Sequence, residues 1–151
     1  MTVSLQNLSK IGLLEKHETS TDQVRRMLES AGRSIRDATQ DSISLETRLD
    51  AAYRAITQLC MVALWVNGYR PSKSKPGHHQ TMIQSLVHSI GLARNRMLLL
   101  DTVRIKRNAI DYTGADVDKA SVNESIEAAN HLLRHTTRWI AGNKPQFSVR
   151  T

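Results

Sequence analysis

The stretch Ser44-Leu-Glu-Thr-Arg-Leu49-Asp50-Ala-Ala52-Tyr53-Arg-Ala-Ile56-Thr-Gln-Leu59-Cys60-Met-Val-Ala63-Leu-Trp65-Val66-Asn-Gly68 decides how this chain folds. Leu45, Leu49, Ala52, Tyr53, Ile56, Leu59, Cys60 and Ala63 recur at the three- and four-residue steps of a helical face, in a stripe wide enough to meet two neighbours. From Cys60 to Val66 the segment is apolar on every side. It therefore reads as the central helix of a bundle, enclosed near its end and stopped by Gly68.

Working outward, the preceding helix opens at a Ser20/Gln23 capping box, runs through Val24, Met27, Leu28, Ala31, Ile35 and Ala38, and closes at Gln40, Asp41 and Ser42. Residues 1–19 are set apart as a short amphipathic helix on Leu5, Leu8, Ile11 and Leu14, weakened by Gly12. Beyond Gly68, Tyr69-Arg70-Pro-Ser-Lys73-Ser-Lys75-Pro-Gly77 is a loop. His78 and His79 then open a helix that buries Ile83, Leu86, Val87 and Ile90. Another helix runs from Ala93 or Asn95 to Thr113, and the last begins at Asp116 or at a Ser121/Glu124 capping box. No alternating pattern is long enough for a strand. The expectation is an all-α, up-and-down bundle of five to six helices over residues 20–142, with 143–151 as a mobile tail.

At 151 residues, with 40% hydrophobic and 23% charged residues, the chain can bury a full core without staples. Cys60 has no second cysteine to pair with and reads as a buried thiol. The longest apolar run falls far short of the ~18 residues that span a bilayer, and no leader-like segment opens the chain. A cytoplasmic protein with no membrane contact is expected.

The net charge of +7 is concentrated. Arg70, Lys73, Lys75, Arg94, Arg96, Arg104, Lys106 and Arg107 face only Asp101 between residues 68 and 110, and the remaining charges cancel. This is the pattern of an anion-binding face. Within the segment, a helix turning 100° per residue gathers Arg104, Arg107, Asn108 and Asp111 into one sector, beside an apolar sector of Leu99, Val103 and Ile110. Such a helix enters a core on one side and offers two guanidinium forks, a carboxamide and a carboxylate on the next. The alternative for the same residues is a solvated Arg107–Asp111 pair at i,i+4.

Other chemistries lack their residues. There is no Gly-x-Ser-x-Gly elbow, no P-loop and no Gly-x-Gly-x-x-Gly turn. His78-His79 and His131/His135 lack the further ligands a zinc site needs, so no metal or cofactor is expected.

Leu49-Asp50-Ala-Ala-Tyr53-Arg-Ala55, Ala63-Leu-Trp65-Val-Asn-Gly68-Tyr-Arg70-Pro71, Gly77-His78-His79 and Arg104-x-x-Arg107-Asn108-x-x-Asp111-Tyr112, in that order, resemble the HEPN superfamily over about residues 20 to 142. The resemblance implies a helical bundle that pairs as a homodimer through its polar-motif face, often beside a nucleotidyltransferase-type partner in a toxin–antitoxin pair. Many such proteins cut RNA without a metal, using an Arg followed five to seven positions later by His. Arg107 and Asn108 match the first half, but Tyr112, Thr113 and Gly114 stand where the histidine belongs. An unperturbed tyrosine is a poor base at neutral pH, and Arg107 beside Asp111 lowers the basicity of that carboxylate. The preferred expectation is a non-catalytic dimer binding RNA or a nucleotide through Arg104, Arg107, Asn108, Asp111 and Tyr112, with Arg70, Lys73 and Lys75 contributing. The alternatives are a metal-independent endoribonuclease with a degenerate motif, and a structural protein-interaction module.

Overall fold

Helix α3 (Leu45–Trp65) is the hub of the computed structural model, which describes residues 4–73 and 77–148. Leu49, Ala52, Ala55, Ile56, Leu59, Cys60, Val62, Ala63 and Leu64 along it are inaccessible to solvent. Its neighbours are α2 (Thr21–Ala38), α4 (His78–Gln84), α6 (Arg94–Thr113) and α7 (Lys119–Asn143). An apolar perimeter on the second half of α3 demands this enclosure, because each large side chain withdrawn from water contributes about 1.5–3 kcal/mol. The architecture is helical, as the periodicity requires.

Side-chain caps set the helix starts. Ser20 Oγ accepts the Gln23 N–H at 3.1 Å, and Ser44 Oγ accepts the Thr47 N–H at 3.2 Å, both where the sequence places them. Helix α7 begins between the two expected positions, since the Asp118 carboxylate accepts the Ser121 N–H at 2.7 Å. Between α2 and α3, the buried Arg48 donates from Nε to the Ala38 carbonyl at 2.8 Å. That bond satisfies an end-of-helix acceptor and fixes the turn.

Four segments differ from expectation: the N-terminal helix, the start of the expected loop at Tyr69, the helix opened by His78 and the C-terminal tail. The N-terminal helix is shorter: α1 (Leu5–Lys10) ends before Gly12, whose φ of 81° turns the chain into β1 (Leu14–Lys16). β1 pairs antiparallel with β2 (Tyr69–Pro71), with Leu14 opposite Pro71 and Lys16 opposite Tyr69. Strands of three residues carry no legible alternation, and the pairing is distant in sequence. The helix opened by His78 is interrupted at Ser85, so that α5 (Leu86–Ser89) follows α4 as a separate short helix. At the C-terminus, Pro145–Phe147 form a 3-10 turn in place of the start of a tail. Phe147 packs on the cluster of Val24, Val62, Val66 and Ile140, and Thr21 donates to the Gln146 carbonyl at 3.0 Å.

Candidate functional site

The first half of α6 buries Met97, Leu100 and Val103 in the core. Beyond Val103 the side of the helix facing α3 becomes polar. Arg104 Nε donates to Asp101 at 2.7 Å, and both side chains are only 17% exposed, so this pair is closed and largely inside. Arg107 sits differently. Its Nε is 3.3 Å from Asp50 on α3 and 3.4 Å from Asp111, and its guanidinium carbon is 5.4 Å from the centre of the Tyr53 ring. The Arg107–Asp111 pair follows from the i,i+4 spacing, whereas Asp50 and Tyr53 reach it from α3.

The Tyr53 hydroxyl is 3.0 Å from Nδ1 of His79 at the start of α4, and His78 meets His79 edge-on with ring centres 4.6 Å apart. Burial, followed by His78, Arg107 and Arg104, holds the His79 pKa below the ordinary imidazole value. Burial pushes Tyr53 up to about 12, with Arg104 and Arg107 pulling the other way. At neutral pH the site therefore contains a neutral imidazole hydrogen-bonded to a protonated phenol, beside two guanidinium groups.

Asp50, Tyr53 and His79 are the participants that reading the sequence for site residues misses. Tyr53 occupies a core position in the α3 stripe, and its only signal is that a buried tyrosine hydroxyl needs a partner. His79 follows a Pro-Gly turn and has no motif spacing to Arg107.

Three of the eight cations of the expected basic face, Arg70, Arg104 and Arg107, are held in ion pairs. Arg70 holds Glu15 across the β-hairpin at 3.1 Å and so belongs to another part of the molecule. Lys106 donates to Ser121 on α7 at 3.1 Å. Lys73 is exposed, and Lys75 lies outside the described residues. Around Arg107 itself, the guanidinium groups of Arg104 and Arg107 meet the carboxylates of Asp50, Asp101 and Asp111. Asn108 is half-buried on α6 beside this cluster, and Tyr112 stands 86% exposed away from it.

Among the described residues no group of three or more His, Cys, Asp or Glu side chains is placed to hold a metal, and no helix is long and apolar enough to cross a membrane. The fold and the cluster define a helical-bundle protein with a carboxylate-held arginine site. No family model, curated protein or solved structure gives a significant match to the chain.

Proposed function

We propose that this chain is a cytoplasmic HEPN-type protein that binds RNA phosphate groups through Arg107 as a homodimer. The looseness of Arg107 carries this reading: its carboxylate contacts of 3.3 and 3.4 Å exceed the ~2.7–2.9 Å of a tight charge-assisted bond, and its side chain is 35% exposed. A phosphate offers the same fork two closer oxygens and displaces Asp50 and Asp111. Arg104, locked to Asp101, supports the site without leaving its partner. The dimer is supported by α6, where Leu98, Ile105 and Tyr112 lie on one line seven residues apart and are 52%, 54% and 86% exposed. On the helical wheel Arg107 lies about 160° from this line, so twofold pairing along it leaves the arginine site of each copy open beside α3. The resemblance adds a nucleotidyltransferase-type protein as a toxin–antitoxin partner.

Fluorescence anisotropy with a labelled single-stranded RNA tests the binding. Affinity should fall with salt along a straight log–log line, and Arg107→Ala should weaken it with helicity unchanged. Equal binding by wild type and Arg107→Ala at low salt removes Arg107 from the site.

A second reading, metal-independent RNA cleavage, is favoured by His79 specifically. In the tautomer that donates Nδ1–H to the Tyr53 oxygen, Nε2 carries the lone pair and is a base of the kind missing after Arg107. It takes the proton of a ribose 2′-hydroxyl; the 2′-oxygen attacks the adjacent phosphorus and the P–O5′ bond breaks. A 2′,3′-cyclic phosphate and a 5′-hydroxyl protonated by water result, with Arg107 facing the charge that develops on phosphorus. Cyclic-phosphate ends formed by wild type in the presence of chelator and absent with His79→Gln support cleavage; binding without cleavage supports the first reading alone.

A further inference from the structure

At the other end of α3 from Asp50 and Tyr53 lies a cavity of about 660 Å³, walled by His17, Trp65, Tyr69 and Phe147 and flanked by Lys16 and Lys144. Trp65 follows Tyr53 by about 18 Å of helical rise, so the cavity is separate from the arginine cluster. We infer that it binds a small planar aromatic anion, a ligand with a flat π face and a single negatively charged end.

Composition makes the concentration of rings meaningful. The whole chain has one Phe, two Trp and three Tyr, and three of those six residues meet in this wall. The β-hairpin and the 3-10 turn bring them there: pairing of β1 with β2 sets Lys16 opposite Tyr69, the His17 N–H donates to the Gly68 carbonyl at 2.9 Å, and the Pro145–Phe147 turn carries the only phenylalanine. His17 and Trp65 are 5.7 Å apart with their planes inclined by 37°. Trp65, Tyr69 and Phe147 all remain only half-buried, leaving aromatic surface on the cavity that a stacked ring can cover.

Charge selects the other end of the ligand. Lys16 and Lys144 outnumber Glu18, the only acidic residue in the wall, so a carboxylate or phosphate fits and a cationic ring does not. The volume lies within the ~300–1,000 Å³ of small-molecule sites. A nucleoside monophosphate and a simple aromatic carboxylate share this chemistry.

The test follows the Trp65 indole N–H in proton–nitrogen correlation spectra of the full chain, assigned with Trp139→Phe, which leaves Trp65 as the remaining tryptophan. Adenosine monophosphate and 4-hydroxyphenylacetate are titrated separately. A saturable shift of the Trp65 signal with either is expected, and which of them produces it identifies the source of the anion. Lys16→Glu with Lys144→Glu, both surface changes, should weaken binding about tenfold or more by reversing the flanking charge. Arg107→Ala should leave it unchanged, which separates this site from the proposed RNA site. The inference is overturned if neither ligand shifts Trp65 at millimolar concentration, if the double lysine variant binds as wild type does, or if Arg107→Ala abolishes the shift.

Discussion

The Tyr53 hydroxyl and His79 Nδ1, 3.0 Å apart, tie the central helix to the start of α4 within the arginine cluster. The pair is neutral on both sides at pH 7, and that gives it a measurable acid dependence. Because the native His79 pKa lies below the ordinary 6.5, the unfolded chain takes up its proton first as the pH falls. Stability from this group is therefore complete above about pH 6.5 and is lost on descending through the native pKa. Urea midpoints should drop between about pH 7.5 and about pH 5.5, and His79→Gln should flatten part of that drop. His131, also lowered by burial and then by Arg96, His135, Arg134 and Arg138, accounts for some of the remainder. An identical slope in His79→Gln contradicts the assignment.

Arg48 should matter more than its charge suggests. Its side chain is 6% exposed, and Nε is the donor to the Ala38 carbonyl at 2.8 Å, whereas Asp41 is 3.6 Å away and 87% exposed. Arg48→Met keeps the stem but orphans that carbonyl, at a cost of about 1–3 kcal/mol. For a chain of this length that lowers Tm by roughly 3–10 °C. Asp41→Asn should shift Tm by much less. Thermal melts of the two variants give the comparison directly.

The helices were legible because their signals are local: Ser20 and Ser44 cap within three residues, and the α3 stripe repeats for several turns. The Arg107–Asp111 pair was legible for the same reason. Asp50, Tyr53 and His79 were not, since what joins them to Arg107 is the packing of α3, α4 and α6, which no spacing encodes. The β-hairpin escaped for a related reason: Lys16 and Tyr69 are opposite only after the bundle has brought their segments together. The summed charge leaves these pairings open, because a count along the chain does not show that Glu15 and Asp50 come from outside the segment to meet Arg70 and Arg107.

Cys60 offers a probe of the core. Its side chain is fully buried on α3, and burial drives its thiol well above the ordinary range. Reaction with an aromatic disulfide reagent should be slow in the native protein and should accelerate in urea along the unfolding transition, because only opened molecules expose a reactive thiolate. Immediate stoichiometric labelling of folded protein contradicts the placement of α3.

The α6 line of Leu98, Ile105 and Tyr112 predicts the behaviour of the chain in solution. Three large side chains seven residues apart, each at least half exposed, lie along one line of a helix whose opposite side is already in the core. Substituting Ile105, at the middle of this line, by Asp places a charge where a twofold copy brings its own Ile105 close, and two like charges desolvated together oppose association. The monomer should tolerate the change, since Ile105 is 54% exposed within it. Sedimentation of wild type at about 50 μM should give a species near twice the 17.0 kDa chain mass, and Ile105→Asp should give the single mass with an unchanged circular dichroism spectrum. Arg107→Ala should remain dimeric, because the arginine faces α3 on the other side of α6 from this line. A wild-type chain that sediments as a monomer leaves this line without a twofold partner and removes the homodimer from the proposal.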